Sequence, residues 1–483
     1  MNNPALDPFE RSIPELQAAM QDGRLTALEL TRYYLERIER YDRAGPRLNS
    51  VLEVNPDALA QAQALDAERA ARGPRGPLHG IPVLLKDNID TADRMHTSAG
   101  SLAMKDAIAP QDAFLVRKLR KAGAVLLGKT NMTEWANFMT VGMPPGYSSR
   151  GGQVVNPYGA AFHPGGSSAG SGVAPSANLA AAAVGTETQG SILNPASQNA
   201  IVGIKPTVGL VSRSGIIPIS ATQDTAGPMA RTVTDAAILL SVLAGEDPKD
   251  PATQRRPKDL PQDYTAFLDP DGLKGARIGV PRAAFFEKPS AEARAVLEEA
   301  IQALRDLGAT VIDPADLPTA HEVFALGIEV LLYEFKQELN RYFRTLGPNA
   351  PIHSLQELIR YNEAHPEEML RYGQVLLLAA ESAAGVESPT YRYHRAKDLE
   401  VCKGGLDATF AQHRLDALVF PMNWGASVGA KAGYPSLTVP AGYTPAGQPV
   451  GLTFLGPAWS EATLIRLAYA FEQGTHARKP PVL

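Results

Sequence analysis

Two stretches of small residues dominate the chemistry available to the chain: Gly165-Gly166-Ser167-Ser168-Ala169-Gly170-Ser171-Gly172 and Gly185-Thr186-Glu187-Thr188-Gln189-Gly190-Ser191. Glycine permits positive φ, and small side chains let backbone N–H groups approach a ligand closely, as a developing oxyanion requires. The serine hydroxyls supply candidate nucleophiles, so acyl transfer is the chemistry these stretches could serve. A run of glycine and serine can also be a flexible linker. Interspersed Ala, Val, Leu and Pro argue against a simple linker here. Gly166-Ser167-Ser168-Ala169-Gly170 also satisfies the G-x-S-x-G pattern of a nucleophile elbow centred on Ser168, but that elbow needs a preceding buried strand. Ala160-Ala161-Phe162-His163-Pro164 is a poor strand, because Pro164 removes a ladder donor.

A serine hydroxyl is a weak nucleophile and needs a base within hydrogen-bond reach. The nine histidines are scattered, none forms H-x-x-x-H, and only His163 lies near the serine block. Surface or structural roles suit them better. The single cysteine, Cys402, excludes an internal disulfide and a Cys-rich zinc site. No metal and no cofactor are expected.

Several further blocks stand in order along the chain: Leu85-Lys86-Asp87-Asn88, Gly128-Lys129-Thr130-Asn131, Gly203-Ile204-Lys205-Pro206-Thr207 and Asp224-Thr225-Ala226-Gly227-Pro228. Together with the two small-residue stretches they resemble the amidase signature family, and weaker similarity continues through Ala432-Gly433-Tyr434-Pro435-Ser436. The resemblance implies a catalytic set of Lys86, Ser167 and Ser191. The relay serine is the first of the Ser-Ser pair, after a cis Gly166–Ser167 peptide bond, and the nucleophile follows 24 residues later. Lys86 can act as base only if burial lowers its pKa from ~10.4 towards 7 or 8. Backbone N–H groups at Thr188, Gln189, Gly190 and Ser191 are then the expected oxyanion hole. Ala136, Asn137, Phe138, Ser168 and Asn194 are the expected pocket residues, and Asp224 and Lys205 the expected loop supports.

The implied reaction is hydrolysis of a carboxamide C–N bond through an acyl-enzyme on Ser191, releasing ammonia or an amine. Glu134-Trp135-Ala136-Asn137-Phe138 and Leu331-Leu332-Tyr333-Glu334-Phe335-Lys336 resemble members that remove the C-terminal amide nitrogen of peptides. Peptide amides or other small amides are therefore the expected substrates. Four features depart from the family pattern. Gln189 stands where glycine is common, and Leu193-Asn194 where many members carry an arginine; Pro175 is expected to interrupt a helix, and residues 421–433 form a shortened segment. Two alternatives stay open: the glutamine-hydrolysing subunit of a tRNA-dependent amidotransferase, and a catalytically silent binding or assembly protein.

These residues must be held by a large scaffold. Short apolar runs at Ile81-Pro82-Val83-Leu84-Leu85, Ala124-Val125-Leu126-Leu127 and residues 180–184 predict buried strands, and a helical stretch at 113–121 between the first two predicts a βαβ unit. Lys86 is then at the carboxyl end of a strand, where open α/β sheets place their sites. Capping-box signals at Ser12-Ile13-Pro14-Glu15 and Thr26-Ala27-Leu28-Glu29 open helices. The fold class expected is α/β, a single large α/β/α domain over residues 1–483 with a mixed, partly parallel sheet flanked by helices. Residues 1–75 are read as helical bracing, 76–235 as the signature core, and 245–430 as a variable excursion and helices shaping the substrate channel.

The charge balance, 46 basic against 51 acidic residues, gives no field for a phosphate backbone, so no nucleic-acid partner is expected. Residues 1–10 show no basic segment followed by an apolar run, which predicts no secretory leader and fits a cytoplasmic location. The small-apolar run at 179–185 is far short of the ~20 residues of a membrane span, so no membrane partner is expected either.

Overall fold

Burial of apolar runs explains most of the sheet. The computed structural model describes residues 6–483, so the first half of the N-terminal decapeptide lies outside the described residues. In the first half of the chain the strands are β1 (Val51–Val54), β2 (Pro82–Lys86), β3 (Val125–Thr130), β4 (Tyr147–Ser148), β5 (Gly152–Gln153), β6 (Ala182–Glu187), β7 (Val202–Lys205) and β8 (Thr225–Ala230). The remainder are β9 (Arg277–Gly279), β10 (Thr310–Ile312), β11 (Ala417–Pro421), β12 (Ser436–Tyr443) and β13 (Pro449–Leu455).

Eleven of these form one sheet in the order β1-β3-β2-β6-β8-β7-β12-β13-β11-β9-β10, while β4 and β5 pair apart. The pairs β2/β3 and β2/β6 are parallel, and β6/β8, β7/β8 and β12/β13 are antiparallel. Every residue of β2, β3 and β6 is buried, as strands covered on both faces by helices must be. The architecture is thus a single α/β domain with a mixed, partly parallel sheet flanked by helices.

Both predicted capping boxes form: the Ser12 and Thr26 side chains accept from the backbones of Glu15 and Glu29, whose carboxylates accept from the cap N–H groups in return. The N-terminal segment is not wholly helical, however. Val51–Val54 adds an antiparallel edge strand to β3. Pro175 does not interrupt its helix either, because Ala169–Ser176 continues past it. In the last turn a proline forfeits one hydrogen bond only. The polar stretch 245–262 is a loop, yet Asp250 is buried against Arg213, and Asp247 accepts from Ser212.

A large hydrophobic cluster spans the sheet and its flanking helices. A second, smaller one joins Trp135, Phe138, Ile217 and Ile219 to the helices Glu329–Thr345, Leu355–Ala364 and Val375–Ser382. Among the described residues no helix is long and apolar enough to cross a membrane.

Candidate active site

Lys86 is the last residue of β2, between the parallel strands β3 and β6. The register Leu85↔Val184 brings the lysine beside the end of β6, and its side chain is fully buried there. Nζ donates to Ser167 Oγ at 2.8 Å, to Thr186 Oγ1 at 2.9 Å and to the Thr186 carbonyl at 3.2 Å. No carboxylate pairs with it within 4.0 Å among the described residues. Desolvation therefore dominates and brings its pKa down from 10.5 to about 7, although the charges of Glu187 and Asp224 pull the other way. Near neutrality much of this lysine is an amine with a serine hydroxyl in contact.

Ser167 follows a cis Gly166–Ser167 peptide bond. The loop is fixed on both sides: Gly166 N–H donates to Asn194 Oδ1 at 3.0 Å, and the Ser167 carbonyl accepts from Thr133 N–H at 3.0 Å. A side chain at 166 would bring its Cβ within 2.5 Å of Thr133 Oγ1, so glycine is required by close approach. The helix Ala169–Ser176 begins two residues on and is buried along its whole length. Ser168 has its hydroxyl committed, donating to the Thr186 carbonyl at 3.0 Å and accepting from Thr186 N–H at 3.2 Å. No strand precedes it among residues 156–167, so the elbow geometry is absent.

Ser191 lies in the turn between β6 and the helix Leu193–Gln198, 9% exposed. Gly190, with φ of 94°, makes the turn. Beneath it the buried Glu187 carboxylate accepts from Ile192 N–H at 2.7 Å and Leu193 N–H at 2.9 Å, and Gly190 N–H faces it as well. Burial pushes the Glu187 pKa up, and Lys205 partly counters this. Thr188 Oγ1 donates to Asp224 Oδ1 at 2.6 Å, while Asp224 Oδ2 accepts from the N–H groups of Ile219 and Ser220 at 2.8 Å each. The N–H groups of Thr188, Gln189 and Ser191 have no protein acceptor among the described residues, whereas that of Gly190, also expected in the oxyanion hole, is turned to the Glu187 carboxylate instead. No hydrogen bond joins the Ser167 and Ser191 hydroxyls; the two loops meet through Ser168 N–H, which donates to the Ser191 carbonyl at 3.1 Å.

A cavity of about 490 Å³ ends against Asn88, Thr186, Thr188 and Asp224. Lys86, Ser167 and Ser191 are just behind that wall rather than in it. Ile217 and Ile219 form an apolar side, and Glu338, Arg341, Tyr342 and Thr345 of the helix Glu329–Thr345 contribute from the helical layer.

Of the five expected pocket residues only Ala136 lines this cavity. Asn137 points to solvent; Phe138 is buried with its ring 4.8 Å from that of Phe335. Ser168 is fully buried, and Asn194 spends its amide on neighbouring loops. The lining not named among the expected pocket residues is Ile216 to Ile219, whose sequence carries no periodic or motif signal for a cavity, and individual side chains of the helix at 329–345, which lies within the 245–430 region expected to shape the channel. Among the described residues no cluster of His, Cys, Asp and Glu is placed to hold a metal ion.

The family described as Amidase matches residues 29–465. A probable amidase of Arabidopsis thaliana is 42% identical over 98% of this chain and 91% of its own length. One component of the glutamyl-tRNA(Gln) amidotransferase of Thermosynechococcus vestitus is 34% identical over 97% of this chain and 99% of its own. The crystal structure of native peptide amidase from Stenotrophomonas maltophilia superposes with a TM-score of 0.94 at 50% identity, covering 98% of this chain and 99% of that one.

Proposed function

Because the chain belongs to the amidase signature family and is an enzyme that hydrolyses amide C–N bonds, we propose that it does so with Lys86 as base, Ser167 as relay and Ser191 as nucleophile, on peptide C-terminal amides. The observation that carries the residue assignment is the buried Lys86 Nζ at 2.8 Å from Ser167 Oγ. Likeness to the peptide amidase supports the substrate class.

In the cycle we propose, neutral Lys86 takes the Ser167 proton as Ser167 takes that of Ser191. The Ser191 oxygen bonds to the carboxamide carbon, and the N–H groups of Thr188, Gln189 and Ser191 receive the oxyanion. When the tetrahedral adduct collapses, the C–N bond breaks and the relay returns its proton to the nitrogen, which leaves as ammonia. Water then attacks the acyl-Ser191 ester by the same route. The products are a carboxylic acid and free Ser191. Glutamine hydrolysis for an amidotransferase has less support, since Leu193 and Asn194 after Ser191 offer its carboxylate no cation.

Ammonia release from peptide amides, free amino-acid amides, aryl amides and glutamine tests the reading. Peptide amides are expected to turn over fastest, and Ser191→Ala to abolish release from all four. Glutamine as the preferred substrate would overturn the substrate class. Full activity in Ser191→Ala would overturn the nucleophile.

A further inference from the structure

The residues flanking Ser191 do more than shape its turn. Gln189, two residues before it, donates through Nε2 to Gln223 Oε1 at 2.7 Å, and its Oε1 accepts from Ser427 Oγ at 3.4 Å. Asn194, three residues after it, accepts Gly166 N–H on Oδ1 at 3.0 Å and donates through Nδ2 to Asn423 Oδ1 at 3.0 Å. Both amides thus use both of their polar atoms, and the four bonds reach three separate segments. These are the loop before β8, the loop carrying Ser167, and the segment after β11, where Asn423 is in the turn and Ser427 in the first turn of the helix Ala426–Ala432. Between the two amides, a Cβ built on Gly190 would meet Ala426 Cβ at 3.5 Å and Asn423 Nδ2 at 3.6 Å, so the turn is packed against that same segment. Gln189, Asn194 and the 421–433 segment, all expected from the sequence to depart from related chains, form one contact set.

We propose that Gln189 and Asn194 are positioning residues, a neutral latch that fixes the Ser191 turn and its oxyanion-facing N–H groups against Gly166, Gln223 and the segment from Asn423 to Ser427. The inference rests on Ser191 being the nucleophile. Oxyanion donors help most when they are aimed before charge develops, because reorganising them in the transition state would take back part of the stabilisation. Amides achieve this without placing a new charge beside Lys86. Neither side chain lines the cavity, so their removal acts on the chemical step and leaves substrate binding nearly alone.

The test measures kcat, KM and two inhibition constants for Gln189→Ala, Gln223→Ala, Asn194→Ala, Asn423→Ala and the Gln189/Gln223 double variant. One inhibitor is a peptide aldehyde, whose hemiacetal oxyanion needs the hole; the other is the product carboxylic acid, which does not. The single variants are expected to lose about 10- to 100-fold in kcat with KM within about threefold. Aldehyde inhibition should weaken in parallel while product inhibition stays put. The Gln189/Gln223 double variant should be no worse than Gln189→Ala alone, since that variant has already lost the bond to Gln223. Unchanged kcat, a loss confined to KM, or an additive double variant would each overturn the latch. If Gln189→Ala or Asn194→Ala fails to fold, Gln223→Ala and Asn423→Ala each break one of the two bonds of its partner amide from the far side and decide the question. Activity surviving in Ser191→Ala would instead condemn the underlying nucleophile assignment, so the two failures are separable.

Discussion

Two strands of the sheet end in a buried lysine, and the surroundings of the two make different groups of them. Lys86 closes β2 and Lys205 closes β7; neither side chain reaches solvent. Desolvation brings both down from 10.5, Lys86 to about 7 and Lys205 to about 8. Lys86 touches hydroxyls, those of Ser167 and Thr186. Lys205 touches the Pro206 carbonyl at 2.9 Å and feels the carboxylates of Glu187 and Glu461. Burial brings both lysines towards the amine, Lys86 further than Lys205, but only a hydroxyl in contact gives an amine a proton to take. The Lys205 side is electrostatic support: its charge opposes those carboxylates, and Glu187 in turn holds the Ser191 turn through Ile192 and Leu193 N–H.

The strongest way to break this contrast is to remove each lysine in turn. Lys86→Met is expected to lower kcat/KM by about 10³- to 10⁴-fold with the fold intact, as loss of a general base does. Lys205→Met should keep kcat within about tenfold while unfolding in urea at lower concentration, because two buried carboxylates lose their cation, a deficit of about 1–3 kcal/mol. Equal losses of kcat in two folded variants would erase the distinction. The pH profile adds a sign. Protonated Lys86 is inactive, so kcat/KM should fall as pH drops through about 7 and level off above it. An ordinary lysine would put that limb near 10.5. A rate flat between pH 5 and 9 would remove Lys86 from the relay.

Ser167 and Ser168 offer the same contrast at closer range, one hydroxyl on the lysine and the other committed to Thr186. Ser168→Ala should therefore lose about 1–3 kcal/mol of stability by stripping the Thr186 N–H of its buried acceptor. Its kcat should change by no more than a few-fold, measured beside a Ser167→Ala variant that loses orders of magnitude. A Ser168→Ala variant as inactive as Ser167→Ala would mean that the relay runs through the wrong serine.

The Lys86 end of the site was legible in the sequence because β2 is an unbroken apolar run closed by one cation, and both faces of such a strand are buried. The neighbouring β8 was not legible. It contains Pro228, and a proline ordinarily argues for an edge strand. In the structure β8 is central, but its ladder to β7 stops at Met229, leaving Pro228 without a β7 partner. β7 itself is four residues with a glycine, too short to read. The cavity walls escaped for another reason. Ile217 and Ile219 belong to the second hydrophobic cluster, whose partners on the helices at 329–345 and 355–364 are more than a hundred residues away in sequence. Local pattern cannot report such contacts.

The finest test concerns the charges that oppose desolvation at Lys86. Asp224 acts on that lysine only through space, and its carboxylate is itself pushed up to about 6 by burial. Above that pH it is ionised, and its negative charge favours the ammonium form of Lys86. Asp224→Asn removes the charge, and its one amide oxygen can still accept from Thr188 Oγ1, while the Ile219 and Ser220 N–H groups lose their acceptor. Lys86 should then lose its proton more readily. The acid limb of kcat/KM is expected to move to lower pH by less than about one unit, with the plateau near the wild-type value. Lys205 should be unaffected, since Glu187 and Glu461 are the carboxylates that act on it. A limb that moves to higher pH would mean that the Asp224 loop, rather than its field, governs the lysine. A limb that does not move would mean that Asp224 carries no charge felt at Lys86, and would leave desolvation and Glu187 to set that lysine.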